Sequence, residues 1–165
     1  MDSNGYKDSL DQINKAKYGY ISTHKSSEYF TTYLYLKNLK DIGYKDSADI
    51  FKELYAWKAT IVANDSETNE TKRMSSLSKY GNWYFHIKLT GGEPNANTTV
   101  KYIGCFPDGS TSSGKWDAGS WADGYSGTCW FYYDNPAYGR QGTFTIKVMD
   151  GSGNVIGEKS VQITN

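Results

Sequence analysis

Histidine, cysteine and proline are scarce in this chain: two, two and three residues among 165. The two histidines, His24 and His86, have no cysteine or carboxylate at the spacing of a metal site or a catalytic pair. No Gly-x-Ser-x-Gly elbow occurs. The Asp-Gly stretches at 107–110 and 150–153 lack the spaced oxygens ending in Glu that a calcium loop needs, so they are turns. Neither an enzyme nor a cofactor is therefore expected. Eighteen basic and eighteen acidic residues cancel, which removes the field that draws nucleic acid to a protein. No apolar run approaches the roughly 18 residues that span a bilayer, and the opening MDSNGYKDS has neither the basic nor the apolar region of a signal peptide. Two cysteines do not define a redox compartment. Strand alternation puts Cys105 on the face away from Val100 and Tyr102, and Cys129 on the face of Phe131 and Tyr133, which argues against a bond between them.

Aromatic residues are plentiful: 16% of the chain, with fifteen tyrosines and five tryptophans. They suit either a well-filled core or a surface that stacks on ligands. The pentapeptide GYKDS also occurs twice, at 5–9 and 43–47. Asp8 and Asp46 are candidate N-caps, because a short carboxylate accepts hydrogen bonds from the free N–H groups of a first helical turn. Asp11 and Asp49 then fall at the third helical position, where negative charge favours the positive end of the helix dipole. Apolar residues recur at helical spacing as Leu10, Ile13, Tyr20 and Ile21, then Tyr29, Tyr33, Leu36 and Leu39, then Phe51, Leu54 and Tyr55. Gly43 is placed to close the middle helix in a left-handed conformation. The expected helices are 8–24, 28–42 and 46–56.

From Trp57 onward the period changes from helical to alternating. NWYFHIKL sets Trp83, Phe85, Ile87 and Leu89 against Tyr84, His86 and Lys88. WKATIVA, TTVKYIGCF, TCWFYYD, GTFTIKVMD and EKSVQIT are further strand candidates, separated by the turn signals GGEPNAN, PDGS, DNPAYG and DGSGN. Short strands with regular turns and no intervening helix predict an all-β antiparallel sandwich. The segment 64–81, polar and without period, is expected to be a mobile loop or a weak edge strand. The fold class is thus α+β in two parts: a helical segment over 1–56 and an antiparallel β-sandwich over 57–165.

The repeated YKDS, with an Asp three residues after the first, resembles the tetratricopeptide-like helical repeats of a group of Gram-positive bacterial proteins. The likeness covers about residues 5–56. The closing stretch GTFTIKVMDGSGNVIGEKSVQITN looks like the last two strands of bacterial immunoglobulin-like domains, and YAWKATI resembles the join between such repeats and such a domain. The resemblance implies an immunoglobulin-like sandwich, a helical array begun before Met1 in a longer chain, and an extracellular or cell-surface location; the cytoplasm is the alternative.

One segment concentrates possible ligand chemistry: GKWDAGSWADGYSGTCWFYYDNPAYG. Trp116, Trp121, Tyr125, Trp130 and Tyr132 offer flat rings for the C–H faces of sugars, and Asp117 and Asp123 offer acceptors for hydroxyls. The competing use of such rings is burial, since a small β-domain needs large residues to fill its core. The functional expectation is a non-catalytic surface binding or adhesion module whose partner is carbohydrate or another surface protein. A structural spacer within a larger envelope protein is the alternative. Nucleic acid is not expected as a partner.

Overall fold

The computed structural model describes residues 3–119, 125–133 and 140–165, with backbone alone at 3–5, 125–126 and 128–133. Three helices come first: α1 (Ser3–His24), α2 (Tyr29–Asp41) and α3 (Ser47–Tyr55). Strands follow as β1 (Lys58–Asn64), β2 (Ser76–Ser78), β3 (Trp83–Gly91), β4 (Asn97–Cys105), β5 (Thr111–Gly119), β6 (Tyr125–Tyr133), β7 (Gly142–Met149) and β8 (Val155–Thr164). The described residues form two compact units. One holds 3–56 together with Gly91–Ala96; the other holds the rest. Among the described residues no helix is long and apolar enough to cross a membrane.

The helical unit has a small core of its own: Ile21, Leu36, Leu39, Phe51 and Tyr55, flanked by Tyr18, Tyr29, Tyr33, Tyr35 and Tyr44. Ring contacts knit it together, with Tyr29 and Tyr33 edge-on to Tyr55 at 4.9 and 5.4 Å. The two copies of GYKDS do not share a backbone. Residues 5–9 lie inside α1, so Asp8 is an interior helical residue rather than a cap. Residues 43–47 form a turn with φ of +67° at Gly43 and +50° at Lys45. Asp46 does occupy the N-cap of α3, but its side chain makes no cap hydrogen bond; the carboxylate accepts from the Tyr18 hydroxyl at 2.5 Å instead. Gly43 closes α2 as the sequence suggests. Its N–H donates to Lys40 O at 3.0 Å and the Tyr44 N–H to Leu39 O at 2.9 Å, a Schellman motif that needs positive φ at the glycine.

Leu10 and Ile13, expected on a buried face, are 42% and 49% exposed. The reason is length. At about 1.5 Å per residue, the 13-residue α2 cannot cover the 22-residue α1, and burial begins in its second half with Tyr18 and Ile21.

The unit is discontinuous in sequence. The Tyr29 hydroxyl donates to Gly92 O at 2.6 Å and the Tyr33 hydroxyl to Glu93 Oε2 at 2.8 Å. Burial, and then the Glu93 charge, push the Tyr29 phenol up to about 12; burial pushes Tyr55 up as well. The folded unit therefore keeps protons that the unfolded chain releases near the ordinary tyrosine value of about 10. That stabilisation is whole below about pH 10 and is lost as pH rises through about 12. Helical circular dichroism should accordingly fall in step with tyrosinate absorbance in that window. Complete loss of the helices below pH 10, or helices that persist after both tyrosines ionise, would contradict the assignment.

The β unit holds two sheets over one core. The three-stranded sheet has the order β1-β3-β6 and the five-stranded sheet β2-β8-β7-β4-β5. The expected alternation is present: Trp83, Phe85, Ile87 and Leu89 from β3 are fully buried, as are Phe144, Ile146 and Val148 from β7. Each such side chain contributes about 1.5–3 kcal/mol. The DGSGN turn joins β7 to β8 as an antiparallel hairpin, with Asp150 Oδ1 accepting from the Ser152 and Asn154 N–H groups at 2.9 Å.

The expectation of a wholly antiparallel sandwich is not met. β2 runs parallel to β8, in the register Ser76↔Gln162, Leu77↔Ile163, Ser78↔Thr164. The five-stranded sheet is therefore mixed. The physical reason is the connection: β2 and β8 are joined through the whole of β3 to β7 rather than by a tight turn, and only a hairpin forces its two strands to be antiparallel. The pairing holds Leu77 in the core at 1% exposure. The segment 64–81 thus includes a short edge strand, and β5, which the sequence reading did not separate as a strand, pairs with β4 along nine residues.

Candidate functional site

The structure does not gather the sequence-predicted residues into one described site. Trp116 and Asp117 are consecutive on β5 and so face opposite ways. Trp116 is half-buried and packs against the core, the use that competes with ligand stacking. Asp117 points outward and accepts from Thr99 Oγ1 at 2.7 Å, beside a shallow hollow lined by Asn97, Thr98 and Thr99. Tyr125, Trp130 and Tyr132 belong to β6, with side chains outside the described residues. Trp121 and Asp123 lie wholly outside them. Cys105 is a free, half-buried thiol, and the Cys129 side chain is not among those described.

A different site stands on the outer face of β1 and β3. The antiparallel register places Thr60 opposite Lys88 and Val62 opposite His86, and alternation sends these four side chains away from the core. Directly opposite residues have β-carbons about 5 Å apart, so they make a continuous patch. The loop 65–75 folds over it. Asn64 Oδ1 accepts from the Ser66 N–H at 2.7 Å, while the Asn64 amide donates to Asn69 O. Asn69 Oδ1 in turn accepts from the Lys72 N–H at 2.8 Å. Lys72 is paired with Asp65 at 2.7 Å, holding that carboxyl below its ordinary range. The Met74 N–H returns to β1 at Ala63 O, 3.0 Å away.

Under this loop lies His86. Alternation along β3 places it on the outward face, with Tyr84 and Lys88. It is on that face, yet only 2% exposed, because alternation shows which way a side chain points and not what covers it. Its Nε2 lies 3.1 Å from Ser66 O. A carbonyl can only accept, so Nε2 carries the proton. Nδ1 is buried and has no hydrogen-bond partner. Beside it opens a hollow of about 280 Å³ lined by Thr60, Val62, Glu70, Thr71, Arg73, His86 and Lys88. Among the described residues neither Arg73 nor Lys88 is in an ion pair, which leaves two cations and one carboxylate at the rim. His24, by contrast, is satisfied within α1: its Nδ1 lies 2.7 Å from Thr23 Oγ1 and its ring stacks on Tyr20 at 4.2 Å. Among the described residues no three His, Cys, Asp or Glu side chains converge to hold a metal.

No family profile and no curated protein matches the chain. Solved structures do. A β-glucosidase from Erythrobacter marinus aligns over 66% of this chain at 11% identity and a TM-score of 0.48, and the chain covers 15% of that protein. An immunoglobulin-like protein from Pseudomonas aeruginosa aligns over 66% of this chain and 96% of its own length, at 14% identity and a TM-score of 0.38. A CARDB domain from Pyrococcus furiosus, solved in complex with di-metal ions, aligns over 67% of this chain and 92% of its own, at 13% identity and a TM-score of 0.41. Likenesses this distant assign neither a family nor an activity.

Proposed function

We propose that this chain is a non-catalytic binding or adhesion module of the cell surface, and that it engages its partner, carbohydrate or protein, through the β unit. The observation that carries this reading is the hollow on the outer face of β1 and β3. There a pinned loop, two cations with no ion pair among the described residues, two threonine hydroxyls and the side of the His86 ring line a space open to solvent. Binding pockets combine such a concavity with a few polar groups that fix orientation. The reading includes no catalytic step: the buried imidazole is oriented by a backbone carbonyl, without the carboxylate that usually orients a general base.

A glycan array and a cell-wall pull-down with the whole chain test it. Reproducible retention is expected, lost in the double variant Arg73→Ala, Lys88→Ala and kept in Asp117→Ala. Loss on Trp121→Ala instead would place recognition in the aromatic segment. No retention on any glycan or surface extract would leave the spacer as the better account.

A further inference from the structure

We infer that the hollow beside His86 takes an anion that also carries hydroxyl groups, such as a sugar acid or a sugar phosphate. This rests on reading the β unit as a binding module, and it names the ligand chemistry of that same site. Three features of the hollow set the class, and each removes a competing one.

The first is charge. Arg73 and Lys88 stand at the rim with their charges uncompensated among the described residues, facing one carboxylate, Glu70. The lining is net cationic in a chain whose total charge is zero, so the excess is local. A guanidinium and an ammonium converging on one space favour a carboxylate or phosphate, which accepts their hydrogen bonds in charge-assisted form.

The second is the imidazole. With Nε2–H donating to Ser66 O, the neutral ring presents a lone pair at Nδ1, an acceptor with no donor. A buried unsatisfied acceptor is a standing cost that a bound donor relieves. Carboxylates and phosphate dianions supply no donor; a hydroxyl does, once a small shift of the covering loop uncovers Nδ1, which has no exposed surface in this structure.

The third is Glu70. A lone carboxylate beside two cations opposes a simple anion, but it accepts hydroxyl hydrogens readily. The threonine hydroxyls of Thr60 and Thr71 can donate or accept and suit either part of such a ligand. A bare inorganic anion leaves both Nδ1 and Glu70 unanswered, and a neutral sugar leaves Arg73 and Lys88 unanswered. A hydroxylated anion answers all four.

The chain contains only two histidines, which makes the ring resonances of His86 a direct reporter and those of His24, in α1, an internal reference. Glucuronate, glucose and sulfate are titrated separately into the intact protein and followed by NMR. Glucuronate is expected to shift the His86 ring signals saturably while those of His24 stay fixed. Glucose and sulfate should each bind at least about tenfold more weakly, as loss of one set of partners implies. The double variant Arg73→Ala, Lys88→Ala should weaken glucuronate by at least about tenfold without changing the thermal midpoint, because both side chains are exposed. Sulfate binding as tightly as glucuronate would overturn the hydroxyl requirement. Glucose binding as tightly would overturn the anionic one and leave the binding-module reading standing. No His86 shift with any probe would overturn the inference and remove from the broader reading the site that supports it.

Discussion

Gly157→Val should be strongly destabilising to the β unit. A β-carbon built at Gly157 runs into Ala59 O, and lies 2.9 Å from Ala59 Cβ and 3.1 Å from its carbonyl carbon. Gly157 is on β8 of the five-stranded sheet and Ala59 on β1 of the three-stranded one, so the backbones of the two sheets approach closely here. The obstacle is main chain held in the β1–β3 ladder, not the flexible end of a side chain, and it cannot turn aside. Overpacking usually costs about 1–3 kcal/mol; with a rigid obstacle and a branched side chain, the expected cost is about 3 kcal/mol or more. That is a large part of a typical domain's stability. Gly19→Ala is the matched control. It lies in α1 with nothing within 4 Å of the added carbon, and should gain about 0.5–1 kcal/mol from helix propensity. Denaturant titrations of both variants should move in opposite directions. A Gly157→Val protein as stable as the parent would mean that the sheets are not in contact there.

Trp83→Ala should cost about 3–5 kcal/mol. Trp83 is fully buried, its ring 5.5 Å from Phe144 and 6.5 Å from Phe106. Its Nε1–H donates to Ser78 O at 2.8 Å. Two losses add: a large cavity between the sheets, and a backbone carbonyl at the end of β2 left with only the longer bond from the Gly81 N–H, at 3.3 Å. Trp83→Phe separates them. It keeps most of the ring packing and removes the hydrogen bond, so it should cost about 1–3 kcal/mol, with amide exchange rising first at the Lys79 N–H that holds the end of β2 to Thr164 O. Equal destabilisation by both substitutions would mean that the hydrogen bond outweighs the packing.

Periodicity made much of this architecture legible. Trp83, Phe85, Ile87 and Leu89 alternate without interruption, and Gly43 follows Ile42, the C-cap of α2, where a left-handed residue is needed. Such signals are local and encode one choice each. What was missed depends on distant partners. β2 has three residues, too few for a period, and its parallel pairing is set by β8 at the other end of the chain. β5 opens on Thr-Ser-Ser-Gly-Lys, a run without apolar alternation, and is held in place by nine pairings with β4. Asp8 has the composition of a cap, and nothing nearby announces that α1 begins earlier. At the candidate site, Lys88 and His86 were legible as outward-facing; Arg73 and Glu70 were not, because they reach the hollow from a loop whose path is fixed by Asn64 and Asn69 rather than by any pattern of its own.

The carbonyl that receives the Tyr29 hydroxyl lies 63 residues further along the chain. On a ribosome the three helices leave the exit tunnel before Gly92 and Glu93, with which Tyr29 and Tyr33 are to bond. The growing chain therefore passes through a stage in which the helices have formed their own small core while two tyrosine hydroxyls wait in water for their acceptors. Closing so long a loop costs conformational entropy before any contact repays it. The six residues at 91–96 are thus the point at which translation of the second unit completes the first, and a nascent chain stalled before them should expose the three helices to proteases and chaperones.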